Sequence, residues 1–168
     1  MDLILFKRLP LIAIACSFGL TACSDNDDDV TNNTPIVQPR TIAVSNYSAT
    51  NSTAVSSISQ KINYRMPSVN GSETSATAVV FVPKGTAPAG GWPIVAWAHG
   101  TTGVADVCAP SNSNNLGGVD PIIAQLVLQG YMVVAPDYEG LGSAGIHPYL
   151  NLASEGRSIV YAVMAARE

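Results

Sequence analysis

The residues of this 168-residue chain best placed to do chemistry follow an apolar run. Trp92 to Ala98 (WPIVAWA) is nearly unbroken in hydrophobicity and ends in His99-Gly100-Thr101-Thr102-Gly103. Such a run, set off by the turn Pro88-Ala89-Gly90-Gly91, has the pattern of a strand buried on both faces of a parallel sheet. In open α/β sheets, ligands bind beyond the carboxyl ends of the strands, so a glycine-rich turn there points backbone N–H groups into the site. Such N–H groups suit the negative oxygen of a tetrahedral acyl-transfer intermediate, where losing one donor raises the barrier by about 3–4 kcal/mol. A second strand-like run, Tyr131 to Ala135, closes at Pro136 and opens into Asp137-Tyr138-Glu139-Gly140-Leu141-Gly142.

Two loops of this kind need a scaffold, and the surrounding pattern supplies one. Ser57 to Met66 (SISQKINYRM) alternates apolar and polar residues, as a half-exposed strand does, and Ser75 to Pro83 (SATAVVFVP) is rich in β-formers. Asp120 to Gln129 reads as a helix, with Asp120 at the N-cap, Pro121 in the first helical position and Gly130 just past the end. Asn151 to Arg167 carries a helical stripe of Leu152, Ile159, Val160, Val163 and Met164, with Asn151 or Ser154 as the cap. Three strands followed by helix, strand and helix open an α/β sheet with crossover helices.

Taken together, Gly91 to Ser111 (GWPIVAWAHGTTGVADVCAPS), Tyr131 to Gly142, His147-Pro148-Tyr149-Leu150 and Ser154-Glu155-Gly156 resemble the α/β-hydrolase superfamily. Within it, Cys108-Ala109-Pro110-Ser111 after the His-Gly loop looks like the secretory-lipase group of esterases and lipases. The resemblance spans roughly residues 57 to 168. It implies that the backbone N–H of Thr101, or of Thr102, supplies half of an oxyanion hole, with His99 and Gly100 shaping the turn. It implies a structural role for Asp137. Glu139 and His147 read as solvated loop residues, with a place in the pocket wall as the alternative. The activity implied is that of a serine carboxylester hydrolase on lipid or short-chain esters. A peptidase or feruloyl-type esterase on the same scaffold, and a non-catalytic surface lipoprotein that uses the fold for binding, are the rival readings.

The chain departs from that family in one respect. A hydrolase of this kind places its serine on a sharp G-x-S-x-G turn between strand and helix. Gly156-Arg157-Ser158 starts that way but continues Ile159-Val160 within a helical pattern, and Ser143 has Leu141 rather than glycine before it. A makeshift triad of Ser143, His147 and Asp137 would sit on one loop without a scaffold. The expectation is an amino-terminal part of the fold whose nucleophile, acid and base are not in this chain, inactive by itself. The family's strand order further implies that Trp92 to Ala98 forms an open sheet edge, prone to association.

The amino terminus gives an address. Lys7 and Arg8 precede an apolar run from Leu9 to Leu20, and Leu20-Thr21-Ala22-Cys23 resembles the lipobox of bacterial lipoproteins. Residues 1–22 are therefore expected to be a signal peptide, and Cys23 a lipidated residue anchoring the protein to the cell envelope, at the outer membrane or periplasmic face. Residues 23–40 follow as a polar tether, in which Asp27-Asp28-Asp29 is solvated charge rather than a calcium loop, and 41–168 form the domain. Cys108 is either half of a disulfide or a free thiol. The net charge of −4 offers no footing for nucleic acid. No metal-ligand spacing or phosphate loop implies a cofactor.

Overall fold

The computed structural model describes residues 40–168, and β-branched or aromatic residues fill six of the eleven positions of its strand over Glu73–Pro83. The signal-peptide, tether and Cys23 readings fall on residues outside that range. The strands are β1 (Thr41–Asn46), β2 (Ser56–Pro67), β3 (Glu73–Pro83), β4 (Ile94–Ala96) and β5 (Met132–Pro136). The helices are α1 (Ser52–Val55), α2 (Asp120–Leu128) and α3 (Leu152–Ala165), with three short 3₁₀ turns between Asp106 and Gly118. One sheet runs in the order β1-β2-β3-β5-β4. The first three strands and β5 pair antiparallel, while β4 and β5 are parallel and joined through α2.

Alternation along the strands creates two cores. Ala76, Ala78 and Val80 of β3, with Val134 of β5, pack on the face covered by Ala162 and Ala165 of α3. Val79, Phe81, Val133 and Ala135 point the other way, onto Ile123 and Val127 of α2. On β2, Ile62, Tyr64 and Met66 are buried at every second position, as the sequence pattern predicts. The result is a sheet between helices, the α/β architecture expected.

Three expectations change in detail. The strand expected over Trp92 to Ala98 pairs only over Ile94–Ala96, with flanking bonds from Met132 N to Pro93 O (2.9 Å) and from Trp97 N to Val134 O (2.8 Å). It lies at the sheet edge, and only Val95 of its three residues is buried. The apolar stripe of α3 is only in part its buried face: Ile159 and Val163 pack against the cores, but Leu152 is 83% exposed and Val160 53%, and the fully buried positions are Ser154, Ser158, Ala162 and Ala165. Those small residues recur at near-helical spacing and let the helix lie close to the sheet, where the Tyr64 hydroxyl donates to Ser158 O at 2.8 Å. Asn151 is the cap, accepting from Ser154 N at 3.0 Å.

Asp120 does not cap its own helix. Val119 occupies the N-cap position and makes no side-chain cap bond. The buried Asp120 carboxylate instead accepts from Asn51 N (2.6 Å), Asn51 Nδ2 (2.7 Å), Ser52 N (3.0 Å) and the Ser52 hydroxyl, clasping α1 to α2. Burial pushes this carboxyl up, but the bonds from Ser52 and Asn51 outweigh it and hold its pKa below the usual value.

Candidate functional site

Because β4 and β5 run parallel, their carboxyl ends open on the same side of the sheet, and the two loops of interest begin there side by side. The loop after β5 is densely buried. Asp137 is 1% exposed; it accepts from Thr77 Oγ1 of β3 at 2.6 Å and from Ser111 N at 3.1 Å, and its own N–H donates to Thr77 O at 2.7 Å. It ties β3, β5 and the 3₁₀ turn at Pro110–Asn112 together, which is the structural role expected of it.

Glu139 and His147 are not solvated loop residues. They are 5% and 8% exposed. The Ser154 hydroxyl of α3 donates to Glu139 Oε2 at 2.5 Å, and Glu139 N donates to Ser158 Oγ at 3.2 Å. His147 Nδ1–H donates to Glu139 O at 2.8 Å. At Gly140 (φ +72), a side chain would place its Cβ 2.4 Å from His147 N, so the loop closes on itself here only with glycine. A stretch of polar letters concealed a buried network because the partners, Ser154 and Ser158, come from a separate helix.

That network also dissolves the makeshift triad. The Ser143 hydroxyl donates to Ser75 O at 2.9 Å, His147 is committed to Glu139, and Asp137 to Thr77 and Ser111. Ser158 is buried inside α3, its hydroxyl donating to Ser154 O at 2.9 Å.

The loop after β4 contrasts with this. Beyond Trp97 N, no backbone hydrogen bond ties residues 98–104 to the sheet. Thr101 and Thr102 are exposed, and neither N–H has a partner among the described residues. His99 Nδ1 lies 2.7 Å from Gly100 O and must be the protonated nitrogen, since a carbonyl only accepts. A trans peptide sets C=O and N–H in opposite directions. Drawing Gly100 O toward the imidazole therefore aims the Thr101 N–H outward, which is what a waiting donor requires. Burial pushes the His99 imidazole below its usual value, against the opposing pull of Gly100 O and Asp137, so the ring is neutral at pH 7. At the far end of the loop, Gly103 (φ +133) packs against Cys108, whose Sγ would lie 2.3 Å from any Cβ there. Cys108 is a free thiol among the described residues.

Tyr138, which sequence reasoning did not single out, links the loops. Its hydroxyl donates to His99 O at 2.7 Å, and its ring lies 4.3 Å from the His99 ring at 30°. The His147 ring is nearly parallel to the Tyr138 ring, at 6.3 Å and 11°. Burial, and next the charge of Glu155, pushes the phenol up to about 12, so it stays a donor. Around the site the two loops expose apolar side chains: Val104 and Val107 on one, Ile146, Leu150 and Leu152 on and after the other. An open groove lined by Val55, Trp92, Leu128 and Gly130 lies elsewhere, at the amino-terminal ends of β4 and β5. No group of metal-binding side chains occurs among the described residues.

Comparison with known proteins agrees with this architecture. No family model matches the chain, and no curated protein matches it by sequence. Among solved structures, lipase A of Candida antarctica in its closed state superposes with a TM-score of 0.64 at 22% identity, over 77% of this chain and 31% of that one. The rice cell wall degrading esterase LipA of Xanthomonas oryzae superposes at 0.59 with 25% identity, over 77% and 37%. The chain thus spans about a third of the length of the structures it matches. Its fold is similar to the corresponding part of these α/β-hydrolase lipases and esterases.

Proposed function

We propose that these residues serve a serine carboxylester hydrolase acting on lipid or short-chain esters, in which they supply half of the oxyanion hole and part of the pocket wall. The observation that carries the reading is the Thr101 N–H: unpartnered, exposed, beyond the carboxyl end of a parallel strand, and directed outward by a carbonyl held on the far side of its peptide. Such a donor, fixed before reaction begins, is worth most where charge develops in a tetrahedral intermediate. The apolar side chains on the bordering loops suit an acyl chain. The attacking serine, its histidine and its acid come from outside residues 40–168 in this reading.

The test uses the complete protein on a p-nitrophenyl ester panel and on emulsified triacylglycerol, with a fluorophosphonate probe for an activated serine. Turnover and labelling are expected, and Thr101→Pro, which deletes the N–H, lowers kcat about a hundredfold or more. Turnover of a peptide or feruloyl ester alone moves the substrate class. Neither turnover nor labelling overturns the enzyme reading in favour of a binding protein. We further infer attachment to the cell envelope through a lipid on Cys23. Cys23→Ser should then release the protein from the membrane fraction, and its staying there would remove that inference.

A further inference from the structure

The proposed donor sits on chain that no backbone bond secures to the sheet, so side chains must set its direction. We propose that Tyr138 is a positioning residue for this loop: its hydroxyl bond to the His99 carbonyl fixes the peptide that precedes the one carrying the Thr101 N–H donor. This rests on the ester-hydrolase reading of the loop.

Tyr138 Oη–H holds His99 O at 2.7 Å, and the His99–Gly100 peptide is trans, so Gly100 N–H points away from Tyr138. The same tyrosine carries the His99 ring on its face, 4.3 Å away. That ring, through Nδ1, holds Gly100 O at 2.7 Å and so directs Thr101 N–H. One side chain thereby governs both peptides, the first directly and the second through a stacked ring.

Tyr138 can do so because it is immobilised. Its neighbours Asp137 and Glu139 are 1% and 5% exposed and bonded to Thr77, Ser111 and Ser154. The buried His147 ring lies 6.3 Å from the Tyr138 ring and nearly parallel to it. Phenylalanine would satisfy the packing equally, so the hydroxyl has a purpose of its own, and its one hydrogen bond is to the loop.

Tyr138→Phe in the complete protein separates positioning from packing. The expected result is kcat lower by about tenfold with KM within about twofold and an unchanged melting temperature. Backbone ¹⁵N order parameters across Gly100–Thr102 fall at the same time. An unchanged kcat overturns the proposal, as does a fall in activity that merely follows a lower melting temperature or a higher KM. If the unsubstituted protein hydrolyses no ester, the ester reading fails, and the order parameters alone decide the positioning role. Lower values across Gly100–Thr102 in Tyr138→Phe then support it, and unchanged values overturn it.

Discussion

The two loops that leave the parallel strands are built on opposite principles. After β5, every polar side chain from Asp137 to Glu139 is sunk into the protein and bonded across to β3, α3, the loop near Ser111 or His99 of the neighbouring loop. After β4, the backbone N–H groups of Thr101 and Thr102 are left open, and the chain is held by its carbonyls and by one ring stack. A donor that must meet a transient charge cannot be bonded beforehand, yet it cannot wander either. The buried loop provides the rigidity that the open loop must not spend its own N–H groups to obtain.

Removing the keystone of the buried loop should break this contrast most sharply. Asp137→Ala leaves Thr77 Oγ1 and Ser111 N buried without an acceptor, and should cost about 3 kcal/mol of stability by urea unfolding. Glycine substitutions compare the loops directly. Gly140→Ala puts a methyl against His147 N at positive φ and should cost about 2 kcal/mol. Gly100→Ala meets nothing within 4 Å, and the same melts should move by no more than about 0.5 kcal/mol. Equal costs at the two positions would mean the open loop is packed after all.

Smaller effects sharpen the same picture. Ser143→Ala loses the bond to Ser75 O at the end of the buried loop, for about 1 kcal/mol, and should leave ester turnover unchanged because Ser143 is no nucleophile. The His99 titration is the finest probe. Its ring protons should show a midpoint below 6.5 by NMR, moving back toward 6.5 in Tyr138→Ala as water reaches the ring. With the folded pKa depressed, the unfolded chain binds the proton more readily. The stability linked to His99 is therefore complete above pH 6.5 and declines as pH falls from there toward the folded value.

The strands β2 to β5, the helices α2 and α3 and the glycine-rich loop after β4 were legible in the sequence because each is encoded locally, by alternation, by Pro121 and Gly130, and by Asn151, whereas β1 and the four-residue α1 carry no such mark. What was not legible is what only the third dimension joins. Glu139 and His147 look hydrophilic in isolation, and their burial depends on Ser154 arriving from α3. Asp120 has the right letter for a cap but serves a different helix, 68 residues back at Ser52. The buried face of α3 was misread because close approach to a sheet selects small side chains, and a hydrophobicity stripe registers large ones. Tyr138 escaped notice since its partner is a backbone carbonyl, which no sequence pattern marks.

The position of β5 between β3 and β4 has a consequence for synthesis. The ribosome makes β4 directly after β3, yet the sheet does not let them touch. Until Met132–Pro136 emerges, β3 has a vacant flank, and β4 has no strand to lie on. At ordinary elongation rates that interval lasts roughly a few seconds, ample time for an unfinished apolar edge to meet another chain. Folding of this sheet is thus a matter of insertion rather than accretion. Anything that shields the nascent chain until residue 136, a holding chaperone or continued translocation in the extended state, should raise the yield more than any stabilising change in the finished protein.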